Sequence, residues 1–336
     1  MVMKLIPQQP TAVVEVYRGD LVESRHQVDV VVCNPTGNII ESWGEPNRLI
    51  YPRSAIKAIQ ALQLIETGAA DAFGFNDSQL ALACASHNGE SFHVATAREM
   101  LGQAGVNETC LECGAQAPGR VADYLSLHEN GEVPLALHNN CSGKHAGFIS
   151  LAVHNGWKHS NYVSIDHPVQ RAIAQTLTEV TGYQHGSASY AVDGCSVPTF
   201  PLPLNRLAHA FARFGVGEDN NSVRSRAMIR LRDACMSHPE MVAGTGRVCT
   251  RLMRILSGQV FVKVGAEGVY VAAFPTLGLG AAIKVRDGSV RAAEVAVSAL
   301  VARFLSESGS DLNDLAHPDI LNWNKIRTGF LRCDLG

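Results

Sequence analysis

The sequence predicts an α+β fold: an antiparallel sheet built from N- and C-terminal strands with flanking helices, plus a helical lobe. Three observations carry this. Short β-branched runs broken by turn signals fill residues 12–44. Similar runs return at 260–286. Between them, from 54 to about 243, apolar residues recur at helical spacing and the segments stop at glycines. Strands at both ends around a helical middle give α+β and not repeated βαβ units. Residues 1–50 and 255–336 are expected to form the sheet part and 51–254 the mainly helical part of one compact unit.

At the N-terminus, "AVVEVY", "DVVVCN" and "NIIESWG" read as strands, and "RGD" and "PTGN" as hairpin turns. "AIKAIQALQLIETG", "FHVATAREMLGQAG" and "PVQRAIAQTLTEVTG" read as helices, each closed by glycine, with His167-Pro168 a helix start. "LPLNRLAHAFARFG" and "VRSRAMIRLRDACMSHPEMV" continue the helical stretch. "VFVKVG", "GVYVAAFP" and "LGAAIKVRDG" read as an antiparallel meander paired with strands 12–44. "VRAAEVAVSALVARFLSES" is a helix ending near residue 308 that packs on this sheet. The tail from 309 is polar, then carries "ILNWNKIRTGFLR". There is no internal repeat, low-complexity tract or Rossmann glycine pattern.

The 336 residues are 46% hydrophobic and 18% charged, ample for a core and unlike a disordered chain. The net charge of −3, with lysine and arginine scattered, gives no footprint for nucleic acid or anionic lipid. No apolar run is long enough to span a membrane, and "MVMKLIPQQP" lacks a signal-peptide core. Nine cysteines, an odd number in a long chain, suggest reduced thiols and a cytoplasmic setting.

Five stretches carry chemistry. In "YPRSAIKAIQAL", Ser54 and Lys57 are i and i+3 and share a helix face. A serine hydroxyl needs an adjacent base to attack, and a lysine serves only when neutral. The alternative is a capping serine beside a solvated lysine. "ACASHNGE" places Ser86, His87 and Asn88 in a tight glycine turn, with a buried capping box as the alternative. "LHNNCSGKHAGF" crowds His138, Cys141, Ser142, Lys144 and His145 at a helix start, where Ser142 could equally be a cap. "YAVDGCSVPTFPLPL" carries Asp193 and Cys195 on a proline-bearing loop, of the kind that often holds function. In "VFVKVGAEGVY", Lys263 interrupts an apolar strand before a glycine, a placement that suits a cleft or an edge strand. A lone C-x-x-C, Cys110 to Cys113, has no second pair and supports neither zinc nor a redox motif.

Taken together, "VYRGDLVES", "YPRSAIKAIQAL", "ASHNGE", "HNNCSGKHAG", "VDGCSVPTFPLPL", "VKVGAEGVY" and "NWNKIRTG" resemble the Rhizobium-etli-type (class 3) L-asparaginase family nearly end to end. The resemblance implies a fold similar to serine β-lactamases and penicillin-binding proteins. It implies two serine–lysine tandems, Ser54 with Lys57 and Ser86 with Lys263, as the catalytic residues. It implies zinc, one per chain, on Cys141, Lys144 and Cys195 with Asp193 in support, and not as the source of the nucleophile. Arg53, His87, Asn88, His138 and Asp193 are the expected substrate-binding or supporting residues. The implied reaction is hydrolysis of L-asparagine to L-aspartate and ammonia by a cytoplasmic homodimer with no nucleic-acid or membrane partner. A glutaminase or other serine amidase of the same fold is the nearest alternative, one methylene apart. A penicillin-recognising enzyme is disfavoured by the lack of an export signal and of plain S-D-N or K-T-G motifs. A metal-binding sensor without turnover gives no reason for Lys57 and Lys263.

Overall fold

The computed structural model describes residues 10–185, 189–217, 222–305 and 310–335. The chain divides into two compact units, one of Met1–Ala55, Leu202–Val216 and Leu252–Gly336, the other of Ile56–Pro201 and Gly217–Arg251.

The first unit is built on an eight-stranded antiparallel sheet. Its strands are β1 (Ala12–Arg18), β2 (Leu21–Cys33), β3 (Ile39–Trp43), β4 (Phe261–Val264), β5 (Val269–Phe274), β6 (Leu279–Val285), β7 (Asp319–Leu321) and β8 (Arg327–Asp334). The order is β7-β8-β1-β2-β6-β5-β4, with β3 also paired to β2. The N- and C-terminal strands meet at β2 and β6, where Val28 faces Val285 and Val32 faces Ala281. The sheet is α+β in character, as the sequence predicts. β7 and β8 extend what the sequence shows: the tail read as polar returns to pair with β1, from Val13 opposite Asp334 to Arg18 opposite Gly329. Tyr17 and Phe330 stack across that pair at 4.5 Å.

Alternation along a strand sends successive side chains to opposite faces. On β5, Ala273 lies against Gly215 of helix α7 (Leu204–Val216), while the next residue, Phe274, meets Phe304 of helix α9 (Val290–Phe304) at 5.6 Å between ring centres. Helices therefore cover both faces. That is why β4 and β5 read as unbroken buried runs and not as alternating ones. The expected end of α9 near residue 308 lies outside the described residues.

The second unit is helical. Its principal helices are α1 (Lys57–Gln60), α2 (Leu62–Glu66), α3 (Asp77–Ala83), α4 (Ser91–Gln103), α5 (Ser142–His154), α6 (Pro168–Thr181) and α8 (Val223–Ser237). α5 packs on α2, α3, α4 and α6. α6 starts at His167-Pro168 and stops at Gly182, whose φ of 62° is the left-handed cap that its glycine permits. The segment read as one helix over 55–68 is broken. Arg53–Ile56 is a 3₁₀ turn, α1 and α2 follow, and an i+3 bond from Leu64 N to Ala61 O tightens their junction. No described helix is long and apolar enough to cross a membrane.

Candidate active site

In the helical unit, Lys57 opens α1 and is 1% exposed. Its Nζ donates to Ser86 Oγ at 2.9 Å, to the Ala85 carbonyl at 2.5 Å and to Cys141 Sγ at 3.0 Å. Ser86 begins a turn that follows α3, and its backbone N–H is fixed to the Val242 carbonyl at 2.9 Å. His87 Nδ1 accepts the Gly89 N–H at 3.0 Å, so Nε2 carries the ring proton and donates to Ser142 Oγ, also at 3.0 Å. The ring is thus a neutral donor that ties the Ser86 turn to the start of α5.

Cys141 stands at the N-cap of α5, without a capping side-chain bond. A Cβ on Gly143 would strike Leu82, so only glycine lets the first turn of α5 lie this close to α3. Lys144, one turn along from Cys141, is 3% exposed and donates to Cys195 Sγ at 2.9 Å. Cys195 sits in the short hairpin joining Ala191–Val192 to Pro198–Thr199, closed by the Asp193 N–H on the Val197 carbonyl.

The charges order themselves. The hydrogen bond from Cys195 and the Lys57 and Lys144 ammonium groups hold the Cys141 thiol well below the usual thiol range, against its burial. Cys195, the donor in that bond and itself buried, is pushed up. Burial alone would lower the Lys144 amine, but the two sulfurs and Asp193 outweigh it and hold the group protonated. Behind them, burial and both ammonium groups push His145 well below its ordinary value. Its Nδ1 lies 2.7 Å from the Tyr162 hydroxyl, which accepts the Glu112 N–H.

The remaining expected residues of this unit sit in local hydrogen-bond networks. Asn88 Nδ2 donates to Glu90 and to the Thr245 carbonyl, both at 3.2 Å. His138 Nδ1 accepts the Leu135 N–H at 2.9 Å, a local tie. Cys113 is buried against the Ala136 carbonyl and Cys110 is half-buried.

Ser54, Arg53 and Lys263 belong to the sheet unit. Ser54 lies inside the 3₁₀ turn, and the N-cap of α1 is Ile56 with no side-chain bond. Ser54 is therefore not the cap of that helix. Arg53 holds φ at +50°, the left-handed region in which a non-glycine residue is strained. It lines a cleft of about 240 Å³ with Arg48, Tyr51, Glu267 and Lys284. Lys263 is fully buried in β4 and donates to the Val264 carbonyl at 2.8 Å. Gly265, two residues on, lies against Pro52 and Ala55, so this strand end packs on the turn that carries Ser54.

Zinc is tested by the donor set. Among the described residues there is no group of three or more His, Cys, Asp or Glu that could hold a metal. Two buried sulfurs and the Lys144 amine do converge, and soft sulfur with nitrogen suits zinc. A site here depends on Lys144 as third donor, which must lose a proton to bind.

Sequence reasoning passed over Ser142 as more than a cap, and passed over Glu90 and Arg120. The signal for Ser142 was its place beside Cys141. For Glu90 it was the carboxylate directly after the "SHNG" turn.

A model of the L-asparaginase II family matches residues 14–333. No curated protein matched the sequence. Among solved structures, a β-lactamase from Mycobacterium bovis aligns at 14% identity over 82% of this chain and 94% of its own, with a TM-score of 0.40. Mglu in its L-glutamate binding form aligns at 14% identity over 83% of this chain and 60% of its own, with a TM-score of 0.44. A Bacillus glutaminase aligns at 9% identity over 83% of this chain and 91% of its own, with a TM-score of 0.37.

Proposed function

We propose, from the premise that the chain belongs to the L-asparaginase II family, that Ser54, Lys57, Ser86 and Lys263 carry its reaction. The chain is an amidohydrolase acting on a small molecule, and the reaction is hydrolysis of the side-chain amide of L-asparagine to L-aspartate and ammonia. The observation that carries the assignment is the 2.9 Å bond between Lys57 Nζ and Ser86 Oγ, both buried. A lysine amine in contact with a serine hydroxyl, away from water, is the arrangement by which serine chemistry proceeds without histidine.

In this reading Lys57 first gives up a proton, and Ser54 Oγ then attacks the side-chain carboxamide carbon while its own proton passes to the neutral Lys57 amine. The C–N bond breaks, the proton leaves with ammonia, and water resolves the acyl-enzyme. Ser86 fixes the orientation of the Lys57 amine. Lys263 supplies the second lysine. Backbone N–H groups at the start of the helical run would be the donors to the oxyanion. Cys141, Lys144 and Cys195 would hold zinc, which supplies fixed positive charge beside the substrate when bound. The homodimer and the cytoplasmic setting belong to the same reading, supported by the family resemblance alone.

The test is ammonia release from asparagine and glutamine by the wild type, Ser54→Ala, Ser86→Ala and Lys57→Met. Loss of about 10³-fold or more on Ser54→Ala, with the fold intact, is expected. Wild-type turnover by Ser54→Ala would end the assignment. The two amino acids differ by one methylene, worth about 1–3 kcal/mol of discrimination, so both belong in the assay.

A further inference from the structure

Ser86 contacts Lys57 from a turn that has no regular secondary structure of its own, residues 85–90. Something must fix it, since a displaced hydroxyl would lose the lysine. Its far end is Glu90, 3% exposed, whose carboxylate reaches two segments distant in sequence. Oε1 accepts the Thr245 N–H at 2.7 Å and Asn88 Nδ2 at 3.2 Å. Oε2 accepts Arg120 Nη1 at 2.5 Å. The same two segments also grip Asn88: the Gly119 N–H donates to its carbonyl at 2.7 Å and Arg247 Nη1 to Oδ1 at 3.4 Å. The closeness is built in. A Cβ on Gly244 would stand 2.5 Å from Asn88 Nδ2 and 2.7 Å from Glu90 Oε1.

We infer that Glu90 is a positioning residue: it latches the Ser86 turn to Arg120 and to the Thr245 loop and so holds Ser86 Oγ on Lys57. Val242, whose carbonyl anchors the Ser86 N–H, lies in the short helix Pro239–Ala243 and Thr245 follows just after it, so both ends of the turn are fixed to one continuous segment. The inference rests on the proposed role of Ser86 and Lys57. Glu90 acts through the position of the turn.

The test is steady-state asparagine hydrolysis, well below the unfolding transition, for the wild type, Glu90→Ala, Glu90→Gln, Arg120→Gln and Ser86→Ala. A small misplacement of a catalytic group costs rate and not binding, so Glu90→Ala should lose about tenfold or more in kcat with KM within about twofold. Glu90→Gln keeps the shape and the acceptor for Thr245, and should stay within about threefold of the wild type. Arg120→Gln changes a partly exposed residue and should lose about two- to threefold in kcat. A merely structural Glu90 would lower the melting temperature and leave kcat per folded molecule alone, which overturns the inference. Glu90→Gln as impaired as Glu90→Ala overturns it as well. If Glu90→Ala does not fold, unchanged kcat in Arg120→Gln overturns it. Wild-type activity in Ser86→Ala would refute the role of Ser86 itself, a separate outcome.

Discussion

Each unit buries a cluster of charge, and the two clusters are made differently. In the sheet unit Asp29, fully buried, is bound by Arg286 at 2.7 Å and by Arg48 at 2.7 Å, with the Glu45 N–H at 2.9 Å. Glu45 then pairs with both arginines. The two arginine side chains are 30% and 27% exposed, so water shares the work. In the helical unit Lys57 and Lys144 are almost wholly buried, and their direct hydrogen-bond partners are sulfur, hydroxyl and carbonyl. The first cluster matches acid to base and closes a fold. The second buries two amines on weak acids that can exchange protons with them, an arrangement that stability alone would not select.

Mutating each cluster separates those roles. Lys57→Met should lose about 10³-fold or more in asparagine turnover, because the serine then has no base. Its melting temperature should hold or rise, since a buried ammonium is replaced by an apolar chain of similar size. Ammonia release and a thermal melt on the same sample check both. Low turnover with a collapsed fold would make Lys57 a structural residue like Asp29.

Asp29→Ala should do the reverse. It leaves Arg48 and Arg286 without their shared carboxylate, a loss of about 3–5 kcal/mol for a broken buried pair. Turnover per folded molecule should match the wild type. Urea unfolding with active-site-normalised rates decides it, and a kcat deficit at full folding would join Asp29 to the chemistry.

The same contrast marks what was legible in the sequence. The strands at 12–44 and 260–286 declare themselves by β-branched runs and glycine turns, and their pairing follows from the chain order. β8 was hidden because the residue types in "RTGFLRCD" do not alternate, with Gly329 buried and Phe330 and Leu331 adjacent, although the strand itself alternates in burial. The break in the 55–68 helix was hidden because the apolar period runs through it, while the left-handed Arg53 leaves no pattern. Site residue types stood out where unusual groups crowd together, as at Cys141 and Lys144. The Lys57–Ser86 contact joins residues 29 apart and Glu90 reaches Thr245 over 155 positions. No local period encodes such contacts. They come from packing the 85–90 turn against α1 on one side and against the Thr245 segment on the other.

Metal removal sharpens the comparison inside the helical unit. If zinc sits on Cys141, Lys144 and Cys195, chelation should raise KM several-fold and lower kcat less, because the hydroxyl chemistry is assigned to serine. Elemental analysis should find about one zinc per chain. Active protein without metal would refute the occupied site, and turnover abolished at saturating asparagine would move the attack away from serine.

The smallest expected effect is a pH dependence, and it distinguishes the Glu90 latch from a surface ion pair. Burial alone would raise the Glu90 carboxyl, but the bonds from Thr245, Arg120 and Asn88 together hold it below its ordinary 4.5. A carboxyl depressed in the folded state adds stability above its unfolded pKa, and loses it as pH falls through the folded value. Wild type should therefore be more stable than Glu90→Gln at about pH 7, with the gap closing as the pH falls below about 4. Asp287 in the sheet unit makes the control. His26 bonds it at 2.6 Å, and its carboxyl is also held down, burial being outweighed by that bond and the Ser289 N–H. Its side chain is 50% exposed, so water screens the pair and Asp287→Asn should show a weaker gap over the same range. Urea midpoints for the three proteins across that range measure both. An equal gap at the two sites would mean that the latch is no firmer than a surface pair.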